Sequence, residues 1–122
     1  MECDAYLAGP MRGIPEMNIP AFMKAAELLR SDGFTIWNPA EEMDDPSFHN
    51  NMLIDLDALI NKCSSVILLP GWRTSVGANA EAMAAYVCGK RALEFVLTPY
   101  DMVPYDLLDV DLSKYLLPYL VS

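Results

Sequence analysis

The chain has 122 residues, too few for more than one ordinary domain, so residues 1–122 are read as a single unit. With 53% hydrophobic and 20% charged residues, a disordered chain is excluded and a buried core is within reach. Eight Lys and Arg against seventeen Asp and Glu leave a net charge of −9, which argues against nucleic-acid polymers and anionic membranes as partners, since both bind through neutralised phosphates. In chain order, residues 4–8 read as a first strand stopped by Gly9-Pro10, and a loop runs over 11–17. Asn18 is placed to cap a helix, with Pro20 in its first turn; Phe22, Ala25, Ala26, Leu28 and Leu29 recur at helical spacing, and Gly33 closes the helix. Residues 34–37 are a second strand, ended by Asn38-Pro39, and the acidic run 41–45 is a solvated loop. A second helix covers 48–62, with Leu53, Leu56, Leu59 and Ile60 on its apolar face. The continuous apolar run 65–69 fits a strand buried on both faces of a parallel sheet. After the loop 70–76 an alanine-rich helix extends to Gly89, residues 91–97 form another strand, and 107–120 hold a short C-terminal helix.

The alternation of strands and helices predicts an α/β fold: a doubly wound, mainly parallel sheet of four to five strands with helices on both faces. Ligands of such sheets bind beyond the carboxyl ends of the strands, where the loops 9–17, 38–45 and 70–77 gather. The chain starts Met-Glu-Cys-Asp without a basic segment, and no apolar run approaches the roughly 20 residues that span a bilayer. Cys3, Cys63 and Cys88 are odd in number and widely spaced, which suits reduced thiols in a cytoplasmic protein. They read as small core residues. One histidine, His49, and no C-x-x-C leave little from which to build a zinc site, and His49 takes no role in this reading.

Three loops carry the candidate chemistry. The first holds Tyr6, Gly9, Pro10 and Arg12; glycine permits close approach, and Arg12 either forks onto a phosphate or carboxylate or sits exposed behind a Gly-Pro turn. In the third, Ser75 precedes a helix that begins at Gly77, and backbone amides at a helix start form an anion site. Glu81 lies about one turn into that helix, where the dipole is expected to keep its pKa low, as befits a nucleophile; a favourable first-turn acid is the plainer account. Asp55 and Asp57 are two apart on the second helix and cannot share a face, so one turns toward the strand ends and the other toward solvent. Two carboxylates, one attacking and one protonating the leaving group, are the layout of glycosidic cleavage. Trp37 and Trp72, at strand ends, either stack on a planar base or pack in the core.

The stretches Y-L-A-G-P-M-R-G, D-L-D-A-L and S-V-G-A-N-A-E-A-M-A followed by G-K together resemble the nucleoside 2-deoxyribosyltransferase superfamily over residues 4–95. The variant L-L-P-G-W-R-T-S-V-G-A is similar to its small, often phage- or prophage-borne branch. The resemblance implies a flavodoxin-like (Rossmann-like) sheet and cleavage of the N-glycosidic bond of deoxynucleosides or their 5′-monophosphates without metal or organic cofactor. It matches Glu81 to the family's nucleophile, Tyr6 to the tyrosine that orients it, and Asp55 to the aspartate that assists the departing base, with Asp57 as the alternative. Ser75 stands where transferases acting on free nucleosides carry an aspartate. Hydrolases of deoxynucleoside monophosphates resemble the chain there and also carry an arginine at the position of Arg12. Ser75, Gly77 and Arg12 therefore read as a phosphate cradle. The chain departs from the family at Ser64 and Ser65, where an acidic residue often starts the strand, and at Ala82, where glycine is common.

The expected activity is hydrolysis of a (deoxy)nucleoside 5′-monophosphate through a glycosyl-glutamate ester, with base exchange, or nucleotide binding without turnover, as alternatives. A homo-oligomer, most simply a dimer, is expected, because the helix over 78–87 is apolar nearly all round and the C-terminal Tyr105, Leu107, Leu108, Tyr115, Leu116, Leu117 and Tyr119 add apolar area.

Overall fold

The computed structural model describes residues 2–42 and 48–115. Strand β1 (Cys3–Ala8) alternates in the pleat, sending Ala5 and Leu7 to one face and Tyr6 and Ala8 to the other. Helix α1 (Ile19–Ser31) covers the first face with Phe22, Ala25, Ala26 and Leu29, and Gly33 at φ 94° turns the chain into β2 (Ile36–Trp37). Helix α2 (Phe48–Asp57) runs into a π turn (Ala58–Lys62) and then β3 (Cys63–Leu68). Helix α3 (Val76–Val87) leads to β4 (Arg91–Tyr100), which hairpins into β5 (Val103–Asp109). The sheet order is β2-β1-β3-β4-β5, parallel through β4, with β5 antiparallel on the edge. This is the flavodoxin-like order, whose topological switch point lies between β1 and β3. Among the described residues no helix is long and apolar enough to cross a membrane.

The second face buries Ala58 and Leu59 of the π turn and Ala78, Ala82 and Ala85 of α3 against Tyr6, Val66 and Leu68. Small residues on α3 let it sit close over the sheet, which is why an alanine-rich helix is placed here.

Several expectations are corrected. Asn18 does not cap α1: it sits at φ 59° without a side-chain cap bond, and its Nδ2 donates instead to the Pro10 carbonyl at 2.8 Å. Residues 34 and 35 fall outside β2, where Thr35 exchanges hydrogen bonds with Asp4. Leu53 is 56% exposed, so the buried stripe of α2 does not include it. The predicted C-terminal helix does not begin at Leu107, which lies in β5; only 113–115 are helical before the described residues end, and Leu116, Leu117 and Tyr119 lie outside them. In β5, Tyr105 and Leu107 alternate with Asp106 and Leu108 and pack on the α1 face, Tyr105 stacking on Phe95 with ring centroids 5.2 Å apart. The Leu107-Leu108 doublet masks that period of two, and Pro104 is tolerated because β5 is an edge strand.

Candidate active site

The switch point opens into a cavity of about 520 Å³ beyond the carboxyl ends of β1 and β3. Tyr6 and Glu81 stand at its base. Tyr6 is fully buried, and its hydroxyl donates to Glu81 Oε2 across a separation of 75 residues in sequence. The pairing follows from the fold: Tyr6 is on the α3 face of β1, and Glu81 lies on the side of α3 that packs onto the sheet beside Ala78, Ala82 and Ala85. Asp55 enters from α2, half-buried, and lines the same cavity; Met52, one turn earlier, shares its face. The three residues carried over as catalytic therefore meet.

Their electrostatics differ from the sequence expectation. Burial pushes Glu81 up to about 8; the Tyr6 hydrogen bond opposes this, and the nearby Asp55 charge adds to it. The expected low pKa fails because Glu81 is the sixth residue of α3, past the first turn in which the helix dipole acts, and is only 9% exposed. Asp55 rises to about 6, first through burial and then through Glu42. Tyr6 is raised well above its usual value by burial and by the charges of Glu81 and Asp55, so it remains a hydrogen-bond donor.

One wall of the cavity is the start of α3. Ser75 caps the helix, its Oγ accepting from Ala78 N–H at 3.2 Å, which leaves the hydroxyl proton available to a ligand. The first-turn amides of Val76 and Gly77 precede the point at which the helix's own carbonyls can accept. A Cβ on Gly77 would meet no protein atom within 4 Å and would stand in open space. Arg12, exposed, reaches the same cavity from the first loop. The opposite wall is apolar: Met11, Phe22, Pro39 and Met52.

Other predicted residues act differently. Gly9 lines the cavity, but the close approach that demands glycine is to Leu69, whose Cβ would lie 2.9 Å from an added Cβ. Pro10 is not a wall residue; it packs against Gly71 and accepts the Asn18 amide. Asp57 turns to solvent and accepts from Asn61 Nδ2 at 2.7 Å, outside the site. Trp72 is 3% exposed and serves the core: its Nε1 donates to Glu94 at 3.1 Å and its ring meets Tyr115 edge-on at 5.7 Å, so it is no stacking platform for a base. Trp37 also lies off the cavity, beneath the Lys62 ammonium at 5.0 Å from the ring centroid. A second cavity of about 520 Å³, across the loop at 70–73, is walled mainly by apolar groups such as Trp72, Phe95 and Leu97 and gathers no pair of carboxylates.

Sequence reasoning missed the apolar wall and Asn79. The Asn79 amide donates to the carbonyls of Trp72, Arg73 and Ser75 at 3.2, 3.0 and 2.7 Å, holding the loop that shapes the α3 end of the cavity. Its signal was an asparagine inside an alanine-rich helix, where that residue is a poor helix former unless its side chain serves the backbone.

The model of the family described as Domain of unknown function (DUF4406) matches residues 3–94, and the chain belongs to that family. The matched span contains every residue named above as lining the cavity of Tyr6, Asp55 and Glu81. No curated protein matches the chain.

Proposed function

From a family whose description assigns no activity, we propose a function on the site alone: cleavage of the N-glycosidic bond of a (deoxy)nucleoside 5′-monophosphate, with Glu81 as nucleophile. The observation that carries this reading is the buried Tyr6–Glu81 hydrogen bond with Asp55 in the same cavity, beside a helix start suited to a phosphate. Between about 6 and about 8 the acid pair holds a single proton. When that proton rests on Asp55, Glu81 is the free carboxylate, steadied by the Tyr6 hydroxyl. Glu81 then attacks C1′; the C1′–N bond breaks, its electron pair leaves with the base, and Asp55 gives the base nitrogen its proton. The product is a glycosyl ester on Glu81. Asp55, now ionised, takes a proton from water as the water oxygen bonds to C1′ and the Glu81 carboxylate departs. The phosphate rests on Ser75, the Val76 and Gly77 amides and Arg12, and the base lies along Met52 and the apolar wall.

A panel of nucleoside and deoxynucleoside monophosphates, assayed for free base, tests the reading. The expected result is base release with at least one member and an adduct on Glu81 from its 2-fluoro-2-deoxy analogue. Loss of activity in Glu81→Gln with no adduct in the wild type would refute the covalent step, and no release from any member would refute the reaction.

The same reading includes a homodimer in a reducing cytoplasm. Its support is narrower than the sequence suggests. Val110, Leu112 and Tyr115 cover part of the α3-side core within the chain, and Val87 and Val76 remain 72% and 88% exposed on α3. Of the three free cysteines Cys63 is a core residue as expected, whereas Cys3 is half-buried and Cys88 exposed, and free thiols suit such a compartment.

A further inference from the structure

Asp55 and Glu81 sit on different helices, so their alignment depends on whatever ties α2 to α3. Besides apolar packing, a lysine side chain ties the far ends of these helices. Lys90, which follows Gly89 at φ 70° as the chain leaves α3, sends its ammonium to two carbonyls, Ile60 O and Cys63 O, each at 2.8 Å. Ile60 belongs to the π turn that ends α2, and Cys63 is the first residue of β3. A π turn leaves carbonyls without the usual helical partners, and π turns recur at functional sites because the extra residue re-aims the neighbouring side chains. Here the turn buries Ala58 and Leu59 in the α3-side core while Asp55, one turn earlier, faces the cavity. At the same end of the turn Lys62 lies over Trp37, its ammonium 5.0 Å from the ring centroid. Lys90 thus staples the exit of the Glu81 helix to the exit of the Asp55 helix, with two charge-assisted hydrogen bonds in a partly buried setting.

We propose that Lys90 is a positioning residue for the acid pair: it acts through the π turn at 58–62 to hold Asp55 against Tyr6 and Glu81. This rests on the reaction proposed above only for its kinetic readout. The groups facing Asp55 are Tyr6 from β1, Glu81 from α3 and Glu42 from the segment before α2, whereas the Lys90 ammonium bonds the carbonyls of Ile60 and Cys63. A structural lysine would affect stability alone, whereas a positioning lysine must also alter the surroundings of Asp55.

The test compares the full chain with Lys90→Met, which keeps the stem and removes the donors, and with Lys90→Arg, which restores donors. Two readouts are taken: the carboxyl-carbon NMR titrations of Asp55 and Glu81, and the kcat and KM for base release, both well below the melting temperature. In Lys90→Met the Asp55 titration should move from about 6 down toward the ordinary carboxylate range as the carboxyl gains solvent. Its kcat should fall by about tenfold or more with KM within about twofold, the scale of a small misplacement of a reacting group. Lys90→Arg should recover most of both. A lower melting temperature with unchanged titrations and kcat would overturn the proposal. If the wild type releases no base, the reaction is refuted, and the NMR titrations alone decide the role of Lys90. If Lys90→Met does not fold, Lys90→Gln, which keeps one donating group, takes its place, and unchanged titrations there overturn the proposal equally.

Discussion

Replacing Glu81 with Gln should make the protein inactive and, at neutral pH, more stable. Gln keeps the shape and can still accept the Tyr6 hydroxyl, but it has no charge to bury. In the folded chain Glu81 titrates at about 8, whereas its ordinary value is 4.5. A folded value raised in this way contributes stability that is fully present below about 4.5 and is lost as pH rises to about 8, because only the unfolded chain ionises freely across that window. At about 1.4 kcal/mol per pH unit, the ceiling on that loss is about 5 kcal/mol above pH 8 and about 3 kcal/mol at pH 7. Glu81 is buried, so solvent screening takes little from these figures. Gln has no such loss. Glu81→Gln should therefore melt up to roughly 12 °C higher than wild type at pH 7 and within a few degrees of it at pH 4. Circular-dichroism melts at pH 4, 5.5, 7 and 8 would read the difference, and base release would fall by orders of magnitude throughout. A stability difference that does not grow with pH would refute the reasoning, since it would mean that Glu81 carries its charge in the folded chain at no cost.

The rate of base release should be bell-shaped in pH, falling below about 6, where the pair takes up its second proton and no carboxylate remains to attack, and above about 8, where no acid remains for the base. A stopped-assay profile with a single limb would contradict the shared proton. Arg12→Ala should lower kcat/KM for monophosphates by about ten- to a hundredfold, the scale of a hydrogen bond to a charged group, and leave free nucleosides nearly unaffected; equal losses on both would remove Arg12 from the phosphate. Gly77→Ala should leave stability unchanged or raise it by about 0.5–1 kcal/mol, because alanine favours the helix and the added methyl meets no protein atom. The same change should weaken monophosphate binding, and tight binding to this variant by calorimetry would show that the ligand does not approach Gly77. Sedimentation across a dilution series should show a dimer that Val87→Asp dissociates, and a wild-type monomer at micromolar protein would refute it.

The arrangement of layers is legible in the chain because it depends on local patterns. Continuous apolar runs such as 65–69 mark strands covered on both faces, Gly33 and Gly89 mark helix exits, and Ser75 before an alanine-rich segment marks a capped helix start; each is set by neighbours within a turn or two. The resemblance of their motifs, rather than spacing, singles out Tyr6, Asp55 and Glu81 as a set, and the structure brings these three to one cavity. What only the tertiary structure decided is what depends on residues far apart in sequence. Asp55 rather than Asp57 faces the cavity because of how α2 rolls on the sheet and how the π turn ends it. Trp72 is core rather than platform because Glu94 and Tyr115 claim it, and residues 103–109 form a strand because β4 offers an edge and Phe95 a ring for Tyr105. The pKa of Glu81 is the sharpest case. Spacing from a helix start predicts a lowered value, but desolvation is a property of the whole surrounding shell, and that shell exists only once β1, α2 and α3 have closed around the carboxyl.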